Sequence, residues 1–182
     1  LLSAPMPRVP LADFEPQLKR RVEDLWGTPP NLYKALANHP QLVAAWTEFS
    51  KTLRHDTRTS RELRELVILR GAQLMRSEYE WAQHLAMARK AGVPEAQIRN
   101  LSTWRTSSEF NAREKAALAL GEAVTQGEVT DSVYAEAMRH FDHHDYVEIA
   151  IVAAFYAMVG RMLDAMGVEL EPEMRHYEPK IS

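Results

Sequence analysis

Apolar residues recur every three or four positions through most of this chain, and no segment shows the period-two alternation of a strand. Leu11, Phe14, Leu18, Val22 and Leu25 predict a first helix over 11–25, with Pro16 suited to its opening turn. Gly27-Thr28-Pro29-Pro30 interrupts the pattern. Asn31 to His39 reads as a short helix, capped by Asn31, with Leu32, Leu36 and Tyr33 inward. Pro40 opens the next, to about Leu53, with Leu42, Val43, Trp46, Phe49 and Leu53 on its stripe; Arg54 to Arg58 reads as a loop.

The central helix opens on the capping box Thr59-Ser60-Arg61-Glu62 and runs to about Met75. Leu63, Leu66, Val67, Ile68, Leu69, Ala72, Leu74 and Met75 cover most of its circumference, the mark of a buried helix. Arg76-Ser77 breaks the run, and a helix to about Ala91 follows, stopped by Gly92. Pro94 starts a short helix to about Leu101. Asn100 to Phe110 is a Ser/Thr-rich linker in which Trp104 is expected to pack over the domain or an interface. Helices are then predicted over Asn111–Thr125, Thr130 or Asp131 to Phe141, and Tyr146–Met166. The last has Val147, Ile151, Ala154, Phe155, Met158, Met162 and Met166 in or near its inward stripe, with Asp145 and Glu148 as a capping box. The methionine series is read as core filling, with an apolar substrate wall as the other use.

The sum is an all-α fold of about seven helices in a single domain, 1–182, with a core of about 11–168. Leu1 to Pro10 and Glu169 to Ser182 are expected to be irregular arms that lie over the same or a neighbouring subunit.

Composition narrows the function. The 182 residues are 46% hydrophobic and 26% charged, with a formal net charge of −3. A dominant nucleic-acid or anionic-membrane role is disfavoured, since either favours a basic face. No run is read as long and apolar enough to span a bilayer, and the cytoplasm is the default compartment. There is no cysteine, which excludes disulfides and Cys-ligated zinc. His140, His143 and His144 with Asp142 and Asp145 invite a metal reading, but show no recognisable ligand spacing, so no metal is expected.

Candidate chemistry gathers between Glu65 and His84. Glu80 and His84 are four apart, one turn from each other on one helix face. A carboxylate beside an imidazole fixes the ring tautomer and raises its basicity, which makes a proton-transfer unit. The plainer reading of Ser77-Glu78-Tyr79-Glu80 is a second capping box. The two are compatible. Glu65 reads equally as a first-turn acid, as a partner of Arg61, or as a third member of the site. If Glu65 or Arg70 faces the interior it must be paired.

This stretch resembles the carboxymuconolactone decarboxylase and alkylhydroperoxidase-D superfamily. The peroxidase branch has a Glu, a Cys-x-x-Cys pair and a His four residues after the second Cys. Here these fall on Glu65, Ser77, Glu80 and His84. Without cysteine, thiol peroxidase chemistry is not expected. The decarboxylase branch also carries a Glu four before the His, matching Glu80 and His84. The wording REL-VILR, SEYEW-QH and ARKAGV resembles a bacterial subgroup filed under that family name. The resemblance implies an alkylhydroperoxidase-D-like helical bundle, assembly as a trimer or hexamer, and a small carboxylated lactone or keto acid as substrate. His84 is then the general acid, Glu80 its orienting and basicity-raising partner, and Glu65 a second proton carrier or a charge partner. Arg70 would grip a leaving carboxylate, with Ser77 and Trp81 beside it as further substrate-binding candidates. This chemistry requires no cofactor, and isomerisation, dehydration or lactone hydrolysis would use the same residues. The alternatives are a non-catalytic binding or assembly protein on this scaffold, or a peroxidase-labelled homologue that has lost its redox cysteines.

Overall fold

The computed structural model describes residues 7–177, and these contain nine α-helices and two short 3-10 turns, with no strand among them. The expected arms fall partly outside: residues 1–6 and 178–182 are not among those described. The helices are α1 (Pro16–Trp26), α2 (Asn31–Leu36), α3 (Pro40–His55), α4 (Arg61–Met75), α5 (Glu78–Ala91), α6 (Glu95–Arg99), α7 (Ala112–Gln126), α8 (Asp131–His140) and α9 (His143–Met166). With α2 and α6 only six and five residues long, seven helices of substantial length remain. The 3-10 turns are Leu101–Thr103 and Pro172–Tyr177, the second lying in a segment expected to be irregular. The described residues form two compact units, one of 7–57 with Arg161–Arg175 and one built on Arg58–Gly160.

In the first unit, Leu18 and Val22 of α1 close over Tyr33 and Val43, with Trp26, Leu36 and Trp46 packed around them. α1 begins at Pro16 because proline needs no amide partner in a first turn. α3 buries Val43, Thr47, Ser50 and Leu53. Leu42 and Phe49, expected on that stripe, are exposed. The first-turn amide of Asn31 donates to Glu171 Oε1 at 2.6 Å, so a carboxylate 140 residues away serves the positive end of α2. The backbone amides of Arg8 and Val9 donate to the Met166 carbonyl, which ties the N-terminal segment to its own chain.

The second unit is built on α4, which packs chiefly on α5 and α7. Nine of its residues are buried, as its nearly unbroken apolar circumference requires. Leu66, Leu69 and Ala72 enter one core with Trp81, Leu85, Leu101 and Trp104. Leu63 and Val67 enter another with Ala117, Leu120, Phe141 and Ile149. α4 and α7 approach closely at Gly121, where an added Cβ would stand 2.7 Å from Val67 Cγ1.

The N-cap of α4 is Ser60, whose Oγ accepts from the Leu63 amide at 3.3 Å. Thr59, expected in that role, is buried and gives its amide to Glu148 Oε1 at 2.8 Å. That contact also displaces the expected capping box of α9. The helix starts three residues earlier than the apolar pattern suggests, at His143, and Asp142 Oδ1 accepts the Asp145 amide at 3.0 Å. Asp145 and Glu148 are drawn instead to Arg58 and Thr59.

α9 turns part of its expected stripe outward, while Phe155 is buried as expected and Met162 and Met166 are half-buried. Ile149, Val152, Ala153, Phe155, Val159 and Leu163 are buried, whereas Val147, Ile151 and Met158 are exposed. The helix is apolar on both sides, so spacing alone does not mark the inner one. By length and composition α9 is long and apolar enough to cross a bilayer, against the expectation that no run is. Its buried face accounts for much of that apolar content.

Candidate active site

Glu65, Glu80 and His84 meet inside the second unit, on the facing sides of α4 and α5. Three local features place them. Arg76 ends α4 in the left-handed region at φ 54°, turning the chain back within one residue. Ser77 then caps α5, its Oγ accepting the Glu80 amide at 3.4 Å. His84 follows one turn after Glu80. All three side chains are buried, Glu65 at 0%, His84 at 2% and Glu80 at 3% exposure.

The hydrogen bond to the imidazole comes from across the hairpin. His84 Nδ1 lies 2.8 Å from Glu65 Oε2, and Nε2 lies 3.7 Å from Glu80 Oε2. The orienting contact therefore belongs to Glu65, and Glu80 stands at the opposite ring nitrogen, beyond hydrogen-bond range. Arg61, one turn before Glu65, ion-pairs its other oxygen. Tyr156 of α9 sets its ring edge-to-face with the imidazole, centroids 4.6 Å apart at 81°. The sequence signal for Tyr156 was weak, being one polar-tipped ring in an otherwise apolar helix.

The two carboxyls are driven apart. Burial raises the Glu65 carboxyl, but His84 and Arg61 outweigh it and hold the group below the usual carboxylate range. Burial pushes the Glu80 carboxyl up to about 7; His84 opposes that shift and the Glu65 charge adds to it. Among the described residues, Glu80 Oε2 is a buried oxygen with no hydrogen-bond partner. The imidazole thus has a carboxyl held low in pKa at one nitrogen and a carboxyl pushed up at the other, an arrangement chemically able to pass a proton.

The other candidates have structural partners of their own. Arg70 bonds Glu122, and its Nη1 donates to Gln73 Oε1 at 2.9 Å. Glu122 also accepts from Trp104 Nε1 at 2.9 Å and from Arg105, so this half-buried cation is held by a shared, buried carboxylate. Trp81 is part of the core around Leu66 and Leu85. Ser77 caps α5 and neighbours Gly160 of α9. Asp142, His144 and Asp145 bring ligand-type atoms within 4.8 Å of one another, but Arg58 already bonds both carboxylates. In the first unit, a concavity of roughly 160 Å³ is lined by Arg21, Asp24, Thr47, Glu48, Lys51 and His55 and holds none of these residues.

A profile of the carboxymuconolactone decarboxylase family matches residues 40–123, the span that carries Glu65, Glu80 and His84. The uncharacterized protein YdfG of Bacillus subtilis (strain 168) is 31% identical over 111 residues, covering 59% of this chain and 76% of that protein. The chain belongs to the carboxymuconolactone decarboxylase family. Its fold is alkylhydroperoxidase-D-like. The C82A variant of the debrominase Bmp8, in complex with 2,3,4-tribromopyrrole, superposes with a TM-score of 0.81 over 92% of both chains at 22% identity. The alkylhydroperoxidase AhpD core from Ralstonia eutropha JMP134, an uncharacterized peroxidase-related protein, superposes with a TM-score of 0.79 at 20% identity, over 93% of this chain and 95% of that one. At these identities the likeness is one of fold. With no cysteine in the 182 residues, this family member has no thiol at the positions of Ser77 and Glu80.

Proposed function

We propose that this chain catalyses proton transfer at a carbon beside a carbonyl, by decarboxylation or isomerisation, on a small lactone or keto acid. The observation that carries the reading is the pair of contacts on His84. Glu65 fixes the ring through Nδ1, which leaves Nε2 directed toward Glu80 as the working nitrogen. Glu80, near half-protonated at neutral pH, is matched to give or take a proton there. Either route develops an enolate-like anion, and a neutral carboxyl is a donor suited to stabilise it.

The test is carbon–hydrogen exchange. Carboxylated γ-lactones and β-keto acids are incubated in D2O with the protein, and deuterium uptake and carbon dioxide release are followed. His84→Gln and Glu80→Gln should each slow the reaction by about a hundredfold or more. Equal rates in the native protein and both variants would sink the reading.

We also propose a homo-oligomer. Val147, Ile151, Ala154 and Met158 lie one helical turn apart on exposed positions of α9, an apolar face that a second copy would cover.

A further inference from the structure

Among the described residues, the imidazole of His84 is hydrogen-bonded at one end. The contact of Nδ1 with Glu65 Oε2 at 2.8 Å fixes that nitrogen, but the terminal torsion of a histidine is soft and one bond leaves the ring free to swing. At the far end Nε2 stands 3.7 Å from Glu80 Oε2, too far for a hydrogen bond to hold it. The plane of the ring is met from a third helix. Tyr156 of α9 packs against it with centroids 4.6 Å apart at 81°, the edge-to-face geometry that aromatic quadrupoles favour.

The tyrosine ring is itself buttressed. Phe155, which is buried, packs edge-to-face against it, centroids 5.2 Å apart at 84°. Gly160 lies one turn beyond Tyr156 on the same face of α9. A Cβ added at Gly160 would stand 2.7 Å from Met75 Cε and 3.8 Å from Ser77 Cβ, so the backbone of α9 comes close to the turn that leads into Glu80. One stretch of α9 thus rests on the imidazole through a ring and beside the start of α5 through a glycine.

We propose that Tyr156 is a positioning residue: its aromatic ring, rather than its hydroxyl, holds the plane of the His84 imidazole so that Nε2 stays directed at Glu80. The role rests on the proton-transfer reading above and deepens it. Tyr156 acts through His84, so its loss should lower the rate of the chemical step and leave substrate affinity in place. A misplacement of about 1 Å at a reacting group can cost about a hundredfold, so a ring that rocks rather than leaves the site should cost about tenfold.

Tyr156→Phe keeps the ring and removes the hydroxyl. Tyr156→Leu removes the ring, and Tyr156→Met, unbranched and adaptable, replaces it if the leucine variant fails to fold. The first measurement needs no substrate. In protein carrying 13C-labelled histidine, the His84 ring signal is assigned by its loss in His84→Gln. The order parameter of its Cε1–H bond should be about 0.85 in the native protein and in Tyr156→Phe, and fall toward about 0.6 in Tyr156→Leu. The second is carbon–hydrogen exchange of carboxylated γ-lactones and β-keto acids in D2O. Tyr156→Leu should lose about tenfold or more in kcat with KM within about twofold of native, and Tyr156→Phe should keep kcat within about threefold. A His84 ring as rigid without the tyrosine as with it overturns the inference, and so does an unchanged kcat. A phenylalanine variant as impaired as the leucine variant also overturns it, since the hydroxyl would then carry the effect. If the native protein exchanges none of these compounds, the proton-transfer reading falls and this role with it; the order parameters distinguish that failure from a failure of the ring contact.

Discussion

His84 Nδ1 and Glu65 Oε2 lie 2.8 Å apart although 19 residues separate them in sequence, and this contact turns the other ring nitrogen, Nε2, toward Glu80. Glu65→Gln should keep the fold's shape but lose the fixed anion. An amide can present either its oxygen or its nitrogen to the ring, so the tautomer is no longer enforced. We expect carbon–hydrogen exchange to fall by about a hundredfold or more, with the acidic limb of the pH–rate profile displaced. A variant with native rate and native profile would show that Glu65 has no part in orienting the ring.

Glu80 should make stability fall as pH rises. Burial pushes its carboxyl up to about 7 in the folded chain, against roughly 4.3 when unfolded. The folded chain thus binds the extra proton across that interval. The contribution is complete below the unfolded value and is lost as pH rises through 7. Glu80→Gln, uncharged throughout, removes this slope. The native protein should lose up to about 3 kcal/mol relative to the variant between about pH 5 and about pH 8, read by urea unfolding. Glu65 acts with the opposite sign: its depressed carboxyl supports folding above the unfolded value, and that support disappears in acid.

Much of this was legible in one dimension. Apolar spacing and capping residues marked the helices, because both signals are local. Glu65 stood out as an acid within an apolar run, and Glu80 and His84 as a one-turn pair. What stayed hidden depends on the register between helices. Whether Glu65 or Glu80 reaches Nδ1 is set by how α4 and α5 align, and Arg70 meets Glu122 across 52 residues. Of the stripe expected on α9, Phe155 faces inward but Val147, Ile151 and Met158 do not, because isoleucine, valine and methionine occur on both sides of the helix. Tyr156 was missed for the same reason.

Arg70 belongs to the frame. Arg70→Ala leaves Glu122 short of one cationic partner, and Glu122→Ala strands Arg70 and the indole N–H of Trp104. Each should cost about 3 kcal/mol of unfolding free energy, while carbon–hydrogen exchange per folded molecule stays within about twofold of native. A selective loss of exchange in Arg70→Ala, at native stability, would return Arg70 to the site.

Arg76 holds a left-handed conformation, φ 54° and ψ 39°, that favours glycine. Arg76→Gly should raise the unfolding free energy by about 1 kcal/mol, provided the looser unfolded chain does not cancel the gain. Thermal unfolding monitored by circular dichroism measures it. A loss of stability instead would mean that the arginine side chain makes a compensating contact.

Ile151→Glu places a charge on the exposed apolar face of α9. If that face is an interface, sedimentation should report a smaller species with native helical content. An unchanged sedimentation coefficient for native and variant protein, both monomeric, would leave the face uncovered.

The first turn of α5 is a mounting whose shape comes from backbone rather than from what it carries. Arg76 sets the reversal, Ser77 the cap, and position 80 projects beside the imidazole from the same turn. Cysteine fits both positions in size, and the free amides of a helix start stabilise a thiolate. Ser77→Cys with Glu80→Cys would therefore replace a capping hydroxyl and a buried carboxyl by two thiols beside the same imidazole. On the proton-transfer reading, the currency this mounting carries is set by which side chains occupy that one turn.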